Sequence, residues 1–140
     1  MKVTMLLCDH AEVADNKLFI NGAGWDACGS PSPPHGVAIL INVPWGQTNR
    51  EHKYSLRLLD EDGNQVTMPG PAGEVAVEAT GSFEVGRPPG VPPGTAMSVP
   101  LALNVGPLLL EQGKGYEWRL SLEGQPEDDW RVAFRTVSQK

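Results

Sequence analysis

Residues 115–123 read GYEWRLSLE and residues 129–137 read DWRVAFRTV. In the first run Tyr116, Trp118, Leu120 and Leu122 alternate with Glu117, Arg119, Ser121 and Glu123; in the second Trp130, Val132 and Phe134 alternate with Arg131 and Arg135. A period of two sends every second side chain to the same side of a sheet, so each run predicts a strand with one apolar and one wet face. Two further runs share the pattern. Across residues 74–85, Val75, Val77, Ala79, Phe83 and Val85 oppose Glu74, Glu78, Thr80, Ser82 and Glu84, and residues 96–105 read AMSVPLALNV. Half-wet strands bury their apolar sides by packing sheet on sheet. The wet sides carry Glu74, Glu78 and Glu84 on one strand and Arg119, Arg131 and Arg135 on two others. The expectation is therefore that pairing sets opposite charges across neighbouring strands on a solvated surface, with any site at the loop ends.

Working outward, residues 2–9 form a near-continuous apolar run that predicts a central strand. Residues 17–21, 37–43, 52–59 and 65–68 predict further strands. Between them lie turn sequences with a backbone reason to bend: Asp15-Asn16, Gly22-Ala23-Gly24, and Asp60-Glu61-Asp62-Gly63-Asn64. Residues 26–36 and 86–95 (GRPPGVPPGT) are rich in proline, whose missing N–H keeps them out of a ladder. Residues 46–51 have room for one helical turn, and residues 123–128 read as the link between the last two strands. The predicted fold is an all-β, two-sheet antiparallel sandwich of eight or nine strands, immunoglobulin-like or C2-like, in one domain over residues 1–140.

Composition narrows the function. The chain has 140 residues, 40% hydrophobic and 20% charged, with 16 glycines and 13 prolines, which suits many short elements joined by tight turns. A formal charge of -6 opposes binding to phosphate backbones and to anionic membranes, so neither nucleic acid nor membrane is an expected partner. Cys8 and Cys28 are too few and too loosely spaced for a zinc site or a disulfide framework. No cofactor is expected. The opening apolar run is broken by Thr4 and stopped by Asp9, too short for the core of a signal peptide, and a cytoplasmic location is expected.

The segments MKVTMLLCDHAEVADNKLFINGAGW, VPWGQTNREHKYSLRLLDEDG, FEVGRPPGVPPGT, YEWRLSLEG and DWRVAFRT together resemble a family of small bacterial, mainly actinobacterial, proteins of unknown function. The likeness spans nearly the whole chain and keeps the segments in order. It implies a small all-β fold and carries over no catalytic or binding residue.

Three functional classes compete. An enzyme would draw on Cys8, Asp9, His10 and His52, but adjacent strand residues such as Asp9 and His10 point to opposite faces, and no Gly-x-Ser-x-Gly elbow occurs. Calcium would need oxygen ligands from several loops at one end of the sandwich. If strand directions simply alternate, Asp26, then Asp60, Glu61 and Asp62, then Glu127, Asp128 and Asp129 emerge together. Asp26, Asp60, Asp62, Asp128 and Asp129 are the ligands of that alternative. The preferred reading is a non-enzymatic interaction module that binds a protein partner or its own copy through Trp25, Trp45, Arg50 and His52 at loop edges. The proline loop lacks the spacing of a polyproline ligand, because Gly90 stands where proline is required after Arg87.

Overall fold

The computed structural model describes residues 1–138, and within them all side chains except those of Pro126 and Asp128. In chain order the strands are β1 (Lys2–Cys8), β2 (His10–Ala14), β3 (Lys17–Asn21), β4 (Ala27–Cys28), β5 (His35–Val43) and β6 (Glu51–Asp60). They continue with β7 (Thr67–Gly70), β8 (Gly73–Ala76), β9 (Glu78–Glu84), β10 (Met97–Val105), β11 (Gly115–Leu122) and β12 (Gln125–Thr136). One 3-10 turn, Trp45–Gln47, overlaps the start of the segment 46–51 in which a helical turn is expected. The all-β class is as expected, and the additional strands are short ones.

Two sheets face each other. The first has the order β1-β5-β10, and the second has the order β4-β12-β11-β6-β9. Their facing sides share one core, in which Leu7, Val37, Ile39, Ile41 and Val43 from the first meet Leu56, Leu58, Phe83, Trp118 and Leu120 from the second. Burying each of these side chains contributes about 1.5–3 kcal/mol, so the alternation noted in the sequence is what closes the sandwich. β5 is the central strand of its sheet and β1 an edge. The apolar character of β1 at Cys8 has a different cause: hairpin β2–β3 lies over the outer side of this sheet, where Cys8, Ala11 and Ala38 form a second small cluster. The Asn104 side chain ties that hairpin down, accepting from the Ala11 N–H at 3.0 Å and donating to its carbonyl at 2.7 Å.

Three local expectations change. Residues 74–85 do not form one strand. The chain kinks at Val77 because β8 pairs with β7 while β9 pairs with β6, which leaves Val75 exposed. Residues 10–14, which the sequence reading assigns to no strand, form β2, and Asp15 (φ 51) with Asn16 (φ 57) makes a two-residue turn in the left-handed region that asparagine and aspartate tolerate. The stretch read as a link at residues 123–128 is also mostly strand. Glu123 (φ 53) and Gly124 (φ 79) alone make the turn, and β12 starts at Gln125.

Candidate functional site

Of the four residues expected to form a contact surface, the structure brings three near one end and separates the fourth. Trp25 packs edge-on against His35 at 5.5 Å and Phe134 at 5.9 Å, beside the start of β5. Trp45 lies past the other end of β5, a strand whose nine residues span about 25–30 Å. His52 corrects the expectation outright. It is fully buried, stacked on Phe83 with ring centroids 5.4 Å apart, and its Nδ1 and Nε2 lie 2.8 Å from Glu123 Oε1 and 2.7 Å from the Gln47 carbonyl. A side chain so enclosed braces the 3-10 turn against the β11–β12 turn and touches no partner. Trp45 is half-buried, with the Arg87 guanidinium 3.8 Å above its ring, and Arg87 also donates to Thr48 Oγ1 and to the Trp45 carbonyl. Arg50 is exposed on a bend nearby.

The acidic set divides as well. Asp26, Asp60 and Glu61 line one cleft with Tyr116, Phe134 and Arg135, and Asp60, Glu61 and Asp62 line an adjoining cleft of about 420 Å³ with Lys114. Asp60 Oδ1 accepts from the Asp62 and Asn64 N–H groups, so it serves its own turn. Asp129 sits within β12, six residues from the Arg135 that pairs with Ala27, and so lies roughly 20 Å along the strand from the Asp26 end. The strand that replaces the predicted loop is the reason. The Asp128 side chain lies outside the described part of the structure. Among the described residues, no group of three or more His, Cys, Asp or Glu is placed to hold a metal ion.

The charged cluster that sequence reasoning missed is on the outer side of the five-stranded sheet. Register sets Arg131 opposite Arg119, Arg119 opposite Arg57, and Arg57 opposite Glu78. Directly paired residues share a face, and neighbouring strands lie about 4.8 Å apart, so the three arginines form a row about 10 Å long. The register delivers the expected opposition of charges at Arg57 and Glu78 but not at Arg119 or Arg131. β9, with its glutamates, pairs with β6, and β11 sits between β6 and β12. Glu117, two positions before Arg119 on β11, is shared: its Oε2 lies 3.1 Å from Arg119 Nη2 and its Oε1 lies 3.7 Å from Arg131 Nη1. Arg57 differs from its neighbours. Its Nε is buried without a hydrogen-bond partner, and no ion pair reaches its guanidinium among the described residues.

A second row runs beside the first. Ser121, Ser55 and Thr80 stand opposite one another on β11, β6 and β9, with Ser121 buried, Ser55 half-buried and Thr80 exposed. Lys53 opposite Ser82 follows, and past these Glu51 faces Glu84. The outer face thus presents arginines, then hydroxyls, then a lysine, in a field bounded by carboxylates.

Comparison with known families matches residues 3–135 to a family of unknown function, DUF6941. The chain belongs to DUF6941. No curated protein and no solved structure matches it. Within this DUF6941 fold the residues weighed for catalysis are dispersed. Cys8 is buried under the hairpin, Asp9 packs against Gly22, His10 starts β2 on an exposed face, and His52 is enclosed at the far end of β6. Burial pushes the Cys8 and Cys28 thiols up from the usual thiol range, with Asp9 adding to the effect at Cys8. Neither is poised as a thiolate. His35 is also buried; its Nε2 accepts from the Trp118 indole N–H at 3.2 Å, and its Nδ1 lies 3.0 Å from the Pro33 carbonyl. An indole can only donate, so this ring is neutral with its proton on Nδ1. Desolvation lowers its pKa, and the Pro33 carbonyl opposes that in part. No helix among the described residues is long and apolar enough to cross a membrane.

Proposed function

We propose that this chain is a non-enzymatic binding module that recognises an anionic group on the outer side of its five-stranded sheet. The arginine row Arg57–Arg119–Arg131 is the observation that carries this reading. Like charges set directly opposite one another are destabilising, and here Glu117, which bridges Arg119 and Arg131, and Glu78, opposite Arg57, offset part of that. An incoming anion relieves the remainder. The scattered Cys8, Asp9, His10 and His52 favour recognition over catalysis. Two free thiols, one of them buried, agree with a reducing cytoplasmic setting.

The test is a titration of isotope-labelled protein with sulfate, citrate and pyrophosphate at low ionic strength, followed by amide and arginine Nε shifts. The Ser55, Thr80 and Ser121 amides and the Arg57 Nε should move together, and added sodium chloride should reverse the change, because exposed charges are screened within about 10 Å at 0.1 M salt. Shifts confined to the clefts around Asp60 and Tyr116 would move the site to the loop end and overturn the assignment.

A further inference from the structure

We propose that Arg57 and Arg119 clasp a phosphoryl group of a small, freely diffusing ligand, seated beside Ser55 and Thr80; this rests on the reading that the outer face binds anions. Arg57 and Arg119 are directly paired across β6 and β11, so their side chains rise on one face about 4.8 Å apart at the base. Planar guanidinium forks match the oxygens of phosphate and carboxylate in bidentate fashion, which an ammonium group cannot do. Arg119 already gives part of its fork to Glu117, whereas Arg57 is unpaired among the described residues. The adjacent hydroxyls of Ser55 and Thr80 supply further donors.

The number of donors selects a phosphoryl over a single carboxylate. The guanidinium forks of Arg57 and Arg119 and the hydroxyls of Ser55 and Thr80 stand together on one face, with Glu117 and Glu78 as the carboxylates beside them and Asp129 two positions before Arg131. A phosphoryl monoester offers three acceptor oxygens and a charge of about -1.5 to -2 near neutral pH, whereas a carboxylate offers two oxygens and about half that charge. The same field sets the size of the ligand. Glu51 opposite Glu84 ends the positive zone on one side, Glu61 stands beyond it on the other, and the chain as a whole is at -6. A long phosphate polymer meets repulsion as soon as it leaves the row, whereas one or two phosphoryl groups fit within it.

Calorimetry on the full chain, in about 20 mM buffer, with inorganic phosphate, pyrophosphate and the dicarboxylate glutarate tests this. Pyrophosphate should bind about tenfold more tightly than glutarate, because bidentate charge-assisted bonds strengthen with the charge and number of acceptor oxygens. Arg57→Gln should weaken it about tenfold, and Arg57→Lys by several-fold, since charge is kept and the fork is lost. Because Arg57 is half-buried, Glu117→Gln gives a second arm: removing the internal competitor should tighten pyrophosphate several-fold without touching the core. Equal affinity for pyrophosphate and glutarate, or insensitivity to all three substitutions, overturns the phosphoryl assignment while the anion-binding reading stands. Silence from all the anions removes both.

Discussion

The turn between β11 and β12 sets two effects of opposite sign against each other, and Glu123→Asn measures which is larger. Glu123 occupies the left-handed region at φ 53 before Gly124 at φ 79. Asn-Gly is the most favoured pair for such a turn, and an ordinary L-residue there costs roughly 1–2 kcal/mol, so the exchange gains about 1 kcal/mol locally. Against this, Glu123 Oε1 partners Nδ1 of the fully buried His52 at 2.8 Å. A hydrogen bond to a charged group contributes about 1.5–3 kcal/mol, and stranding a buried polar atom costs about 1–3 kcal/mol. The Glu123 side chain is 46% exposed, so solvent screening puts the loss at the lower end, about 2 kcal/mol. The net expectation is destabilisation by about 1 kcal/mol, or a melting temperature lower by roughly 2–5 °C. In a His52→Phe background the partner is already gone, only the turn remains, and the same substitution should raise the melting temperature. Thermal unfolding of the four proteins in this cycle decides it: a Glu123→Asn variant more stable than wild type, with His52 in place, refutes the brace.

Gly81→Ala should destabilise by about 1–3 kcal/mol in urea unfolding, because its Cβ would sit 2.7 Å from Tyr54 Oη and 2.8 Å from Cζ and push that ring off its stack on Phe83. Stability should also fall on acidification through His35. Its folded pKa is lowered from 6.5, so the unfolded chain binds a proton first, and the contribution that is complete above 6.5 is lost as pH drops below it. Melting curves from pH 7.5 to 5.5, a window of about one unit on either side of an ordinary histidine, should show a shallower slope for His35→Phe than for wild type; equal slopes would assign the acid sensitivity elsewhere.

Alternation makes the inward residues legible: Trp118, Leu120 and Phe134 are buried as the period demands. It also names Arg119 and Arg131 as outward. What the period does not contain is register, since a strand that slides by two residues keeps every side chain on its proper face. Arg57 is 62 positions before Arg119, and their meeting depends on β6 lying beside β11, a choice made by the whole topology. The arginine row is therefore invisible strand by strand. Glu127, Asp128 and Asp129 are misplaced for a different reason. An acidic stretch resembles a loop, whereas only Glu123 and Gly124 have the positive φ that a two-residue turn requires. His52 looks like a surface residue in the sequence because its partners, the Gln47 carbonyl and Glu123, lie five residues back and 71 ahead.

Hairpin β2–β3 gives the sandwich a back and a front. Its own chain lies over Cys8 and Ala38 on one outer face, held by the amide of Asn104, while the other outer face carries no such cover among the described residues. Valency follows from that asymmetry. With the hairpin over one outer side, the outer side of the five-stranded sheet is left as one open surface per chain, so the proposed ligand would bind with one equivalent per chain.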